Sequence, residues 1–180
     1  MFSVDFMGSR WFYQLPRPHC AAMLAGMASK DDQERFNGLW GYIHHVLMPE
    51  SLDLLVARAM DEGDQFDVDH MAGLIEEVQQ QHSSRPFHVD VSLSATAVQS
   101  WPSVRGRLVM SGVADPLQQL PNLYALLDAV EAMVLEGMQK EEDRERYFSR
   151  VYAPPAGTRQ RGKVPKGWSD ADEMALFDDW

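Results

Sequence analysis

Apolar and polar residues alternate over the first fourteen positions, and then the period changes. Phe2, Val4 and Phe6 fall on one face of a strand, Gly8-Ser9 supplies a two-residue turn, and Trp11, Tyr13 and Leu15 resume the alternation beyond it. Closure at Gly8-Ser9 pairs Phe6 with Trp11 and Val4 with Tyr13, so register and hydrophobic face agree and a β-hairpin is expected. Pro16 and Pro18 lack amide donors and end the second strand.

From His19 onward the spacing is helical. Phe36, Leu39, Trp40, Ile43 and Leu47 recur at three and four residues, as do Leu52, Leu55, Val56 and Ala59 after Pro49, a residue suited to a first helical turn. Met71, Leu74, Ile75 and Val78 repeat the pattern, with Asp67 placed as the cap. The period lapses between Ser83 and Ala97, where Ser-Ser-Arg-Pro is followed by Ser92, Ser94 and Thr96; this stretch reads as a linker, with Val89 to Val91 as a short strand. Ser100 then caps a helix with Pro102 in its first turn that carries Val104 and Leu108 and ends at Gly112. Asn122 caps the strongest run, Leu123, Leu126, Leu127, Val130, Met133, Val134 and Met138, and Tyr147, Phe148 and Val151 suggest a last packed turn.

The expected fold is therefore mainly α, an N-terminal β-hairpin followed by amphipathic helices in two helical halves joined by a linker. Its parts are a hairpin plus helical domain at 1–82, a linker at 83–97, a C-terminal helical domain at 98–152 and a flexible charged tail at 153–180. In the tail, Arg159, Arg161, Lys163 and Lys166 precede Asp170, Asp172, Glu173, Asp178 and Asp179, and Ser169 can cap a short helix with Met174, Phe177 and Trp180 three apart. A solvated tail accounts for the charges; a docking peptide accounts for the Phe and the Trp.

Composition narrows the classes of function. The chain has 180 residues, 45% hydrophobic and 24% charged, which suits one ordinary domain or two small ones. Sixteen Lys and Arg against 27 Asp and Glu leave a formal charge of −11, the wrong sign for binding nucleic acid or an anionic membrane. The N-terminal half is the more acidic: residues 1–90 hold six basic and fourteen acidic groups. The longest apolar run has twelve positions between Arg17 and Lys30, too few for a membrane span, and Met1 to Arg10 lack the pattern of a signal peptide. With a single cysteine, Cys20, the chain reads as a soluble protein of the cytosol.

Catalytic and metal chemistry find no footing, and no catalytic residue, metal ligand or cofactor is assigned. His44 and His45 are adjacent on a helix and diverge by about 100°, so one is expected to face the core and the other water. Asp67 and His70 could share a ligand, yet capping explains the aspartate. Cys20 lies in an apolar run that disfavours its thiolate, and neither a nucleophile elbow nor a phosphate-binding glycine loop is present. Methionine stands out, with eleven residues. Met23 and Met27 flank Leu24 in a helix with almost no polar face, which is either a central core helix or an interface for another chain's helix. The candidate partner-binding residues are Met23, Met27, Met174, Phe177 and Trp180.

The order of features resembles the tail assembly chaperones of long-tailed bacteriophages, in particular their longer, frameshift-type product. The N-terminal half is similar in Val4-Asp5-Phe6-Met7-Gly8, the Trp11 to Pro16 segment, the acidic helices and Ser84-Arg85-Pro86. The C-terminal half is similar in Trp101, Arg105-Gly106, Gly112 to Leu117, Leu120-Pro121, the helix from Leu126 to Met133, Tyr152 to Pro155 and Gly167-Trp168. The resemblance implies a non-enzymatic protein of the host cell cytoplasm, not expected in the mature virion, that binds the tape measure protein and promotes tail tube assembly around it. Its implied partners are the tape measure protein, the tail tube (major tail) protein and a shorter form of itself. The N-terminal half would contact the tape measure and the extension would recruit tube subunits. Competing readings are a structural minor tail or connector protein of the virion, an enzyme whose site gathers His44, His70 and His82, and a DNA-associated regulator using Arg159 to Lys166.

Overall fold

A computed structural model of the chain describes residues 1–153. Strands β1 (Phe2–Phe6) and β2 (Ser9–Tyr13) form the expected antiparallel hairpin, with Val4 opposite Trp11 and Phe2 opposite Tyr13. The turn is Met7-Gly8, one residue earlier than the sequence suggests, and the pairing shifts by two. Both turn residues have positive φ, 47° and 74°, the conformation whose twist matches a hairpin. A shift of two keeps every side chain on its face, so Val4, Trp11 and Tyr13 are buried as expected.

The free edge of β2 is covered by the corner between α2 (Asp32–Val46) and α3 (Pro49–Met60). Gln14 N donates to Val46 O at 2.8 Å, Met48 N to Phe12 O at 2.9 Å, and Phe12 N to Ser51 Oγ at 2.7 Å. Arg58 of α3 clamps the turn: it donates to Met7 O at 3.1 Å, pairs with Asp64 at 2.6 Å and lies over the Phe66 ring, which stacks on Trp11.

Helix α1 (Ala21–Met27) follows a 3-10 turn at Pro18–Cys20 and packs between α2 and α5. Gly38 makes the α1–α2 approach possible: a methyl group there would stand 2.6 Å from Met23 O and 2.9 Å from Met27 N. Gly38→Ala should therefore lower the melting temperature despite alanine's better helix propensity. Gly106→Ala, inside α6 (Trp101–Met110) with open space around it, should raise stability by about 0.5–1 kcal/mol. Thermal melts of the two variants check both signs.

Helix α4 (Val68–Gln80) is capped by Asp67, whose carboxylate accepts from His70 N at 3.0 Å while His70 Nδ1 reaches back to the Asp67 amide. The stretch read as a linker is a correction. Only Ser83 to Pro86 is a loop; Phe87–Gln99 is helix α5, and Val89 to Val91 are its first turn rather than a strand. It carries no clean polar face because it is covered on several sides: Val89, Leu93 and Ala97 are buried, and so are Asp90 and Ser94.

The remaining elements are α6, α7 (Pro116–Gln119), α8 (Leu123–Glu136) and α9 (Glu141–Val151). Asn122 caps α8 by accepting from Ala125 N at 3.0 Å. Ser100 precedes α6 but makes no side-chain cap bond; its carbonyl accepts from Ser103 and Val104 instead. Leu123 N donates to Pro16 O at 2.7 Å, tying the start of α8 to the end of the hairpin. One apolar cluster runs from Val4 to Val130, so the two expected helical halves share a core. No helix among the described residues is long and apolar enough to cross a membrane.

Candidate functional site

The most polar part of the interior centres on Arg85, in the Ser-Arg-Pro loop. Its Nε donates to Asp90 Oδ1 at 2.7 Å, and its Nη1 donates to Asp128 and lies 3.5 Å from Glu131 Oε2. Asp90 is fully buried and also accepts from Gln79 Nε2 at 2.7 Å; the same amide donates to Arg85 O. Glu131 Oε1 accepts from the Tyr152 hydroxyl at 2.6 Å and from Tyr147 at 3.3 Å. The guanidinium thus joins α5 to α8, the Arg85 carbonyl and Asp90 bring in Gln79 of α4, and Glu131 adds Tyr147 of α9 and Tyr152. Burial disfavours the Arg85 cation, yet its bonds to Asp90 and Asp128 outweigh that and raise its pKa. Burial pushes the Asp90 carboxyl up, against the pull of Arg85 and Gln79, and burial with Glu131 alongside pushes Tyr147 up to about 12. These ion pairs and hydrogen bonds form a clasp that holds the helices together, with Gln79 Oε1 buried and without a partner among the described residues.

Two apolar grooves open on the surface. The first, of about 340 Å³, lies between α1, α2 and α4; Met27, Phe36, Leu39, Val68 and Ala72 line it, with Asp32, Arg35 and Asp69 at its rim. Phe36 and Val68 are 39% and 45% exposed, so the groove is open to a partner. The second, of about 320 Å³, is bounded by Pro18, Ala22, Ala97, Val98, Trp101 and Leu117. It continues along α1 over Ala25 and Ala28, with Ala22 and Val98 common to both stretches.

Met23 and Met27 are half-buried. Met23 lies where a side chain at Gly41 of α2 would meet it, and Met27 reaches the rim of the first groove, so α1 serves both as a core helix and as a groove wall. Met174, Phe177 and Trp180 lie outside the described residues. His44 and His45 are both exposed, a correction to the expected split: His44 packs edge-on to Trp40, and His45 Nδ1 lies 3.0 Å from Gly41 O, so each takes a neighbour on its own helix. His70 sits by Phe66 and His82 by Phe2 and Tyr13, and among the described residues no group of three His, Cys, Asp or Glu could hold a metal. Cys20 is buried, and burial raises its pKa. The second groove had no signal in the sequence beyond the alanines of α1, and Arg85 stood out only as part of Ser-Arg-Pro.

His82 couples the hairpin to α4. Its Nε2 lies 2.8 Å from the Tyr13 hydroxyl, which donates to Gln81 Oε1, and burial lowers its pKa below the ordinary 6.5. The unfolded chain therefore binds the proton first, and stability should fall as pH drops below about 6.5. Asp64, held low by Arg58, and Asp67, held low by the His70 amide, add a second loss below the ordinary carboxylate value of 3.8. Urea titrations from pH 7.5 to 5.5 should show the first slope, and His82→Gln should flatten it.

The fold is mainly α-helical, with an N-terminal β-hairpin followed by several helices. Residues 96–180, from the end of α5 onward, are similar to a family described as a family of unknown function, DUF7240. No curated protein and no solved structure matches the chain.

Proposed function

We propose that the protein is a tail assembly chaperone of a long-tailed bacteriophage, acting in the host cytoplasm without chemistry of its own to bind the tape measure protein and promote tail tube assembly around it. The observation that carries this reading is the open α1–α2–α4 groove in a chain of net charge −11. A long tape measure helix exposes apolar surface that aggregates, and a groove with a methionine in its lining accommodates varied apolar side chains. The acidic surface keeps copies of the chaperone apart along the covered helix. The resemblance set out above supplies the identity of the partner, and it assigns recruitment of tube subunits to the extension that follows residues 83–97.

Co-expression with the tape measure protein of the same phage tests the reading. The full chain should keep the tape measure soluble and co-purify with it. Phe36→Asp with Val68→Asp, both at exposed positions, should abolish capture while leaving the thermal melt close to that of the parent. Failure of the parent chain to capture the tape measure overturns the proposal. Mass spectrometry of purified virions provides the second arm, because a stoichiometric copy number would make the protein a minor tail or connector component instead.

A further inference from the structure

Helix α9 buries no residue, whereas α2, α3, α4, α5, α6 and α8 each bury two or more. Its inward stripe is Asp143, Tyr147 and Val151, an acid and a phenol among three positions, and all three are half-buried. Its ion pairs among the described residues, Arg144 with Glu141 and Arg146 with Asp143, both at 3.7 Å, lie within the helix and do not fasten it to its seat. The seat itself is incompletely filled. A groove of about 400 Å³ remains beside α9, with Ser92, Thr96 and Met138 on one side and Arg146, Tyr147 and Arg150 on the other.

What fastens α9 is chiefly polar and lies in its second half. The Tyr147 and Tyr152 hydroxyls donate to Glu131 Oε1 at 3.3 and 2.6 Å, and His88 Nε2 donates to Val151 O at 3.0 Å. Arg85 steadies the acceptor, 3.5 Å from the other Glu131 oxygen. Val151 and Tyr152 add partial apolar contact with the core. At the first half, residues 137–140 join α8 to α9, and Lys140 makes no side-chain cap bond there. The acids Glu141, Glu142 and Asp143 in the first turn and Arg150 in the last suit the helix dipole, so α9 has local reasons to be helical apart from its docking. Undocking such a helix costs a few hydrogen bonds, whereas α8 is released when the whole core is.

We propose that α9 is a strap that opens about residues 137–140 while the core stays folded, with the Tyr147 and Tyr152 bonds to Glu131 as its latch. Opening lifts the tyrosines from Glu131 and Val151 from His88. It bares the side of α5 at Ser92 and Thr96 and the Glu131 side of the Arg85 clasp. The device is a property of the isolated chain and is independent of the tape measure reading, so its test contains no phage partner.

Hydrogen exchange of the full-length chain, resolved by residue with NMR, provides that test. The amides of residues 145–151 should share one protection factor, at least about a hundredfold below those of Leu127 and Val130 in α8 and insensitive to low urea. Ile43→Val, a conservative change in the buried face of α2, should lower the protection of Leu127 and Val130 about fivefold and leave that of α9 unmoved, because strap opening precedes core unfolding. Tyr147→Phe with Tyr152→Phe should lower α9 protection about tenfold. Protection in α9 that follows Leu127 and Val130 in Ile43→Val, that declines residue by residue toward Val151 as in simple fraying, or that is unchanged in the tyrosine variant overturns the proposal.

Discussion

Arg85→Met should destabilise the protein by about 3–5 kcal/mol, because it leaves the fully buried Asp90 without its cation. That loss is a large share of the roughly 5–15 kcal/mol that holds a domain of this size together. The cost arises from the orphaned charge rather than from the net worth of the pair, and the two can be separated. Arg85→Met combined with Asp90→Leu should recover much of the loss, since a matched apolar pair needs no desolvated ions. Arg85→Lys should fall between the parent and Arg85→Met: an ammonium keeps the charge but cannot fork between Asp90, Asp128 and Glu131. Urea denaturation of the four chains gives the order directly. A midpoint for Arg85→Met equal to that of the parent would mean that Asp90 is neutral in the folded state.

Separating the chain after Ser84 should abolish cooperative folding of both pieces. Of the 26 residues in the apolar core among the described residues, nine lie beyond Ser84, including Leu93, Leu123, Leu126, Leu127 and Val130. Each buried Leu or Val contributes about 1.5–3 kcal/mol, so the N-terminal piece would lose more than the whole expected stability. Helix α1 would lose α5, one of its two main packing partners, and the amide of Leu123 would no longer reach Pro16 O. The intact chain should melt in one transition, seen at the same temperature by circular dichroism and by tryptophan fluorescence, and neither fragment should show a sigmoidal melt. Two separate transitions in the intact chain would restore the two-domain arrangement.

These two results bear on how the protein can work. With a common core, the part proposed to meet the tape measure and the part proposed to recruit tube subunits belong to one body, so a partner bound to one face would be held at a set position relative to the other. Truncation cannot divide these proposed roles, and surface substitutions such as those at Phe36 and Val68 are the means of testing them apart. The grooves face different helices, α2 and α4 for one and α5, α6 and α7 for the other, with α1 as the wall between them.

Much of the architecture was legible in the sequence because its signals are local. Strand alternation from Phe2 to Tyr13, the caps Asp67 and Asn122, and the stripes of α2, α3, α4 and α8 each depend on neighbours within one or two turns. The face of the hairpin followed from parity alone, which is why Val4, Trp11 and Tyr13 were placed inside even though the turn sits at Met7-Gly8. Tertiary structure decided what depends on contacts distant in the chain. Helix α5 is short of an amphipathic stripe because α1, α8 and the Arg85 clasp cover it from several sides, and the burial of Asp90 rests on a cation five residues away and an amide eleven residues away. His44 and His45 both point outward because Tyr42, Ile43 and Val46 already occupy the inner face of α2. Periodicity reports the side on which an element is wet; only packing decides which wet or dry surfaces meet, and here that is what turned a supposed linker into the central helix of a single core.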